Sequence, residues 1–224
     1  MSPVHGSIRL SPFRDRRQAG RLLADELAAM KPFDPLVIAL PRGGVPVARE
    51  IADRLQAPLE VFGVRKLAHP DRPEIGFGAI AEDGTRLVDP EAARVLGLRN
   101  GDLERITARE VTELRRRIDL YRDGRPAPEV RDRTVVIVDD GVATGLTDAA
   151  AIRAIRHQGA RRIILAVPVC SATAMELLHE SADTVVTLRI PANFRGVGDS
   201  YLDFSQVSDE EVLDALAGTA RVAA

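Results

Sequence analysis

Five short apolar runs constrain this 224-residue chain more than any other feature, each broken off by glycine, proline or a charged residue and set beside a stretch of helical spacing. They fall at residues 36–40, 59–64, 134–138, 162–167 and 184–188. Runs that are continuously apolar, without a polar residue at every second position, suit strands buried on both faces. Between them, residues 14–30 place Ala19, Leu22, Leu23, Leu27 and Met30 at helical spacing, and residues 45–55 do the same with Ala48, Ile51, Ala52 and Leu55. Residues 147–158 and 171–180 supply two further helices. Strands alternating with helices over short connections predict an α/β fold, a mostly parallel sheet with helices on both faces.

Two stretches depart from that rhythm. Residues 65–88 are interrupted by His69-Pro70, Arg72-Pro73, Gly76, Gly78 and Gly84, which predicts a mobile hairpin standing away from the main sheet. Residues 102–122 read as one long charged helix, with Leu103, Ile106, Leu114, Ile118 and Tyr121 inward. Its Arg115-Arg116-Arg117 run invites a nucleic-acid reading, but ten Arg face eight Asp and Glu between residues 99 and 133, so a salt-linked solvated face is expected. A Pro126-Ala-Pro128 linker follows, and the last helix opens on a Ser208-Asp-Glu-Glu211 capping box. The whole of 1–224 reads as one domain.

Composition excludes several classes. The net charge of −2 gives no field to gather a nucleic-acid backbone. No apolar run reaches the roughly 18 residues that span a bilayer, and the first ten residues lack a signal-peptide core, so a cytoplasmic chain without membrane contact is expected. A single cysteine, Cys170, leaves no disulfide framework and no Cys-cluster metal site; it reads as a buried small hydrophobe. His5, His69, His157 and His179 have no spacing of a metal site or triad. Aromatic residues are scarce, yet Phe194, Tyr201 and Phe204, three of eight rings, fall within one short segment.

The chemistry concentrates in Val135-Val-Ile-Val-Asp-Asp-Gly-Val-Ala-Thr-Gly-Leu-Thr147. A buried strand delivers Asp139 and Asp140 to the carboxyl edge of a parallel sheet, where open α/β folds bind ligands. A Gly/Thr loop then runs into a helix N-terminus, whose free N–H groups and dipole favour phosphate, with Thr144 and Thr147 as added donors. Carboxylates beside a phosphate cradle are reconciled by a sugar phosphate: the acids accept from vicinal hydroxyls while the loop holds the phosphate. A nucleoside-triphosphatase loop would need Lys after Gly145, where Leu146 stands, and Gly196-Val-Gly198 lacks the third glycine of a dinucleotide site.

The stretch VVIVDDGVATGLT resembles the PRPP-binding signature of type I phosphoribosyltransferases. The resemblance covers roughly residues 35–205 and implies that family's fold, with a small hood from the terminal regions. It implies that Asp139 and Asp140 bind the ribose hydroxyls and that Gly141, Val142, Ala143, Thr144, Gly145, Leu146 and Thr147 bind the 5′-phosphate. Gly141 stands where the family usually has an aliphatic residue, which reads as a looser turn. Pro41-Arg42-Gly43-Gly44 is similar to the family's pyrophosphate loop, and Arg65 and Lys66 lie at the base of the segment that closes over PRPP. Arg42 and Lys66 are then the catalytic cations, neutralising the departing pyrophosphate.

Residues 190–205 resemble the hood of the hypoxanthine-type members, which implies base-binding by Phe194 and Tyr201 and a magnesium acid at Asp203. The implied activity is an Mg2+-dependent transfer of the phosphoribosyl group from PRPP to a nucleobase-like acceptor, with dimers common in the family. The 6-oxopurine enzymes carry an acid in mid-loop where this chain has Ala143. Either the acceptor is not a 6-oxopurine or a base such as Glu74 comes from elsewhere. A regulatory PRPP- or nucleotide-binding protein of the same fold is the alternative.

Overall fold

A computed structural model describes residues 11–217, the Glu74 side chain excepted. Helix α1 (Arg16–Met30) is capped by the Asp15 side chain, which accepts from the Gln18 N–H. Strand β1 (Pro35–Ala39), helix α2 (Gly44–Leu55) and strand β2 (Leu59–Val61) follow. The second half alternates β6 (Thr134–Val138), α5 (Leu146–His157), β7 (Arg162–Val169), α6 (Ala172–Ser181) and β8 (Thr184–Arg189). These five strands form one all-parallel sheet in the order β2-β1-β6-β7-β8.

The apolar runs are continuous because alternate residues enter two different cores. Leu36, Ile38, Val135, Ile137, Ile163 and Leu165 pack beneath α5 and α6. Their neighbours Val37, Ala39, Val136, Val138, Ile164 and Ala166 pack against α1, α2 and the long helix over residues 100–122. Helices therefore cover both faces, as the sequence predicts.

The run at 59–64 does not form one strand. It splits at Gly63, where a Cβ would fall 2.6 to 2.8 Å from Ile118 and Leu114, so the chain passes close under the long helix and leaves the sheet. Beyond it, β3 (Val64–His69), β4 (Arg72–Ala81) and β5 (Arg86–Val88) make a separate antiparallel sheet, order β3-β4-β5. Its root is fixed, with Val64, Ala79 and Ala81 belonging to the main core. Phe77, Ile80 and Leu67 pack with Ile106 under α4 (Asn100–Arg122). Between the sheet and α4 lies a short helix that the sequence reading lacks, α3 (Pro90–Val95), capped by Asp89 with Pro90 at its first position.

The chain closes with a 3-10 turn over Val197–Ser200 and α7 (Asp209–Ala217). Segment 11–15 is laced to this end: Phe13 N–H donates to Ser200 O, Leu202 N–H to Phe13 O and Asp203 N–H to Arg14 O. No helix among the described residues is long and apolar enough to cross a membrane.

Candidate functional site

Sheet order places the site. The chain runs from β1 outward to β2, then returns to β6 on the other side of β1, so the carboxyl ends of β1 and β6 flank the switch point where open α/β sheets form a crevice. Ala39 is in register with Val138, and Leu40 N–H donates to Val138 O at 2.9 Å. Two loops therefore leave the same edge side by side, 41–44 into α2 and 139–145 into α5. Their packing admits no side chain: a Cβ on Gly43 would lie 2.1 Å from Asp140 Oδ2, and one on Gly44 2.5 Å from Val138 O. The Pro41-Arg42 peptide is cis.

Loop 141–147 is held from beneath. Val142 N–H donates to Val169 O, Ser171 N–H donates to Val142 O, and Ser171 Oγ donates to Ala143 O at 2.6 Å. Gly145, at φ +79°, turns the chain into α5. The first N–H groups of that helix lack intrahelical acceptors and face the loop, with Thr144 exposed and Thr147 half-buried beside them. Gly141 is not a loosened turn, because a Cβ would meet Val197 and Val169 at 2.5 and 2.7 Å. The absent side chain permits close approach.

Burial and mutual repulsion push the Asp139 carboxyl well above the usual range, with Asp148 in α5 adding to the repulsion. Burial also raises Asp140, and Arg16 opposes it. Arg16 Nε donates to Asp140 Oδ2 at 2.7 Å, and Asp139 Oδ1 accepts from Asp140 N–H at 2.8 Å. Arg42 lies 3.6 Å from Asp209 Oδ1, which also accepts from Tyr121 Oη at 2.6 Å. Arg65 Nε donates to Glu110 at 2.8 Å. Next to the 41–44 loop lies a cavity of about 450 Å³ lined in part by Pro41 and by Arg65, Lys66, Arg105, Arg109 and Arg117, with Glu110 the one acid. Carboxylate acceptors, a loop that opens a helix with free N–H groups and a cationic flank thus converge on one edge.

A family model for the phosphoribosyl transferase domain matches residues 16–205 of the chain, which include every loop of this edge. The chain belongs to the phosphoribosyl transferase family. It is 44% identical over 201 residues to two proteins of Mycobacterium tuberculosis, each named "Putative phosphoribosyl transferase", and covers 45% of their length. The chain thus spans about half of these curated relatives. The crystal structure of TT1426 from Thermus thermophilus matches with a TM-score of 0.77 at 45% identity, over 94% of this chain and all of that one. AQ2163 from Aquifex aeolicus, 12% identical with a TM-score of 0.53 over 92% of this chain and 87% of that one, shares the fold.

Within this phosphoribosyl transferase domain, some expected site residues stand elsewhere than their pattern suggested. Val142 is buried in the core with both backbone groups bonded, so it offers no free N–H to a phosphate. Tyr201 is 6% exposed, its ring against Phe13 and its hydroxyl donating to Asp140 O at 2.6 Å; it braces the acid loop and presents no open face to a base. Phe194 is half-buried against that cluster. Phe204, partly exposed, stacks on Tyr201 with centroids 5.1 Å apart.

Asp203 lies on the surface with Oδ1 accepting from Ser205 N–H. Among the described residues no group of three or more His, Cys, Asp or Glu side chains could hold a metal ion. The protein's own donors therefore do not build a magnesium cage at Asp203. Arg16, Ser171 and Asp148 are site residues the sequence reading lacks, and the Glu74 side chain lies outside the described set.

Proposed function

We propose that the chain transfers the 5-phosphoribosyl group of PRPP to a nitrogenous acceptor and releases pyrophosphate. The observation that carries this reading is the convergence of two helix-opening loops on Asp139 and Asp140 at the β1/β6 switch point. The 143–147 loop and the N-terminus of α5 would take the 5′-phosphate. Asp139 and Asp140 would accept from the ribose 2′- and 3′-hydroxyls, and Gly43 and Gly44 would let the diphosphate approach the chain.

In the reaction the bond from the anomeric carbon to the diphosphate oxygen breaks, and a bond to the acceptor nitrogen forms from the opposite face. The acceptor proton leaves to solvent or to a base. Arg42 and Lys66, with Arg65 beside them, would stabilise the charge gathering on pyrophosphate, and positioning supplies the rest. The root of the β3-β4-β5 sheet is packed in the core, so closure over PRPP would be confined to the distal β3-β4 turn near His69. Magnesium belongs to this reading as a companion of the substrate's phosphates, since Mg2+ is commonly held by one or two carboxylates plus substrate phosphates. Phe194 would flank the acceptor, since the Phe204 ring is engaged by Tyr201 and Arg16.

One observation favours a second reading. The exposed mid-loop residue is Ala143, and no residue of 141–147 is ionisable, so this loop carries no general base. A PRPP- or nucleotide-binding regulator without transferase activity needs none. Incubation with PRPP, Mg2+ and a panel of purine and pyrimidine bases, with pyrophosphate measured, separates the two. Release with one base supports the transferase; PRPP binding without release for any base supports the regulator; no PRPP binding overturns the transferase and the PRPP-binding form of the regulator.

A further inference from the structure

Arg16 begins α1, 124 residues from Asp140 in sequence, yet three independent contacts converge on its guanidinium. Nε donates to Asp140 Oδ2 at 2.7 Å, Nη1 donates to the Ser205 carbonyl at 2.8 Å, and Cζ lies 3.9 Å from the centroid of the Phe204 ring. The Arg16 and Asp140 side chains are 11% and 14% exposed, so their attraction is little screened. Phe204 stacks on Tyr201, and the Tyr201 hydroxyl returns to the Asp140 carbonyl. Arg16, Phe204, Tyr201 and Asp140 thus form a closed ring of contacts joining the ribose-binding loop to the 200–205 segment. On its other side Asp140 Oδ2 abuts Gly43, where a Cβ would leave it no room.

We propose that Arg16 is the positioning residue of the ribose site: seated on Phe204 and Ser205, it fixes the Asp140 carboxylate and makes its use by the ribose depend on the seating of the 200–205 segment. The inference rests on the reading of Asp140 as a ribose acceptor. An ionised carboxylate accepts at both oxygens. Arg16 occupies one position on Oδ2, which leaves acceptor sites for a hydroxyl, and its charge keeps Asp140 an acceptor in a crowd of acids. The groups that face Asp140 are Arg16 from α1, Asp139 beside it on the loop, Asp148 from α5 and Tyr201 from the terminal segment. Arg42 in the adjoining loop is directed to Asp209 instead. Only Arg16 among the first four is a cation. Without it the pair takes up a proton at higher pH, and a protonated carboxyl is a poorer partner for a hydroxyl donor.

The test measures PRPP affinity by calorimetry in Mg2+ buffer from pH 6 to 8.5 for the wild type, Arg16→Gln and Arg16→Lys. The expected result is a Gln variant whose deficit relative to wild type widens at least tenfold as the pH falls to 6, while the Lys variant keeps the wild-type pH profile with a smaller, constant loss. A constant deficit for R16Q across this range, or none, overturns the proposal, because a general structural role has no reason to follow pH. A second measurement needs no ligand. The Asp140 side-chain carboxyl carbon is titrated by 13C NMR, where a higher midpoint in R16Q supports the proposal and an unchanged midpoint overturns it. Failure of wild-type PRPP binding with the midpoint raised rejects the ribose reading and leaves the Arg16–Asp140 coupling standing.

Discussion

Asp148 sits in the first turn of α5 at 3% exposure, with one carboxylate oxygen unpartnered. The helix N-terminus favours its negative charge. Burial and the nearby Asp140 win, and its pKa is pushed up to about 7. The folded protein then keeps a proton that the unfolded chain releases near pH 4, so stability falls as pH rises from about 4 to 7 and stays low above. Asp148→Asn mimics the protonated side chain. Thermal melts should show D148N more stable than wild type at pH 8, by on the order of 4 kcal/mol, and nearly equal at pH 4. A variant equally stable or weaker at both pH values refutes the account. Gly43→Ala tests the neighbouring contact. Its backbone, φ −59° and ψ −36°, suits alanine, but the methyl would collide with Asp140 Oδ2. PRPP affinity should fall more than about tenfold, about 1.4 kcal/mol, and the melting temperature should fall with it, because the displaced carboxylate loses its hydrogen bond from Arg16. At this scale the acid pair is legible because it is contiguous in sequence, whereas Arg16 and Tyr201 reach Asp140 across 124 and 61 residues with no local pattern to betray them.

Among elements, the antiparallel sheet depends on a buried ion pair. Arg122, 8% exposed near the end of α4, donates to Glu82 and to Val61 O, and Glu82 accepts from Gly63 N–H at 2.6 Å. The pair therefore ties together the end of β2, the turn at Gly63 and the end of β4. Removing one partner strands the other charge, so Arg122→Met should destabilise by roughly 3 to 5 kcal/mol in urea unfolding, and R122M with Glu82→Leu should recover much of the loss. A single-variant loss below about 1 kcal/mol would show the tie to be unimportant. Most elements were legible because a strand in two cores must be continuously apolar, as at residues 134–138. The break at Gly63 was not, since what bends the chain is the α4 face of Leu114 and Ile118, brought there by tertiary packing. Helix α3 carried a readable Asp89-Pro90 start, but its six residues are too few to show a period.

Across the whole molecule, one ligand should be felt in segments far apart in sequence. Asp140 touches Arg16 through its carboxylate and Tyr201 through its carbonyl, and Gly43 packs on it from the β1 loop. Segment 11–15 is in turn hydrogen-bonded to 200–203. A ligand that orders Asp140 therefore restrains both ends of the described chain along with both loops, without any distant conformational switch. Hydrogen exchange with saturating PRPP and Mg2+ should slow amides at 41–44, at 143–148 and at 200–205, while the distal β3-β4 turn responds separately if it closes. The first three should move together over a titration with one midpoint, because they share a single binding event. Protection confined to 143–148 would mean that only the phosphate is held and that the ring of contacts through Arg16 and Tyr201 is architecture alone. The same titration in F204A separates the routes: losing the Arg16 platform should remove protection at 200–205 first, while the amides at the start of α5, which on the proposed reading would hold phosphate through the backbone, stay protected.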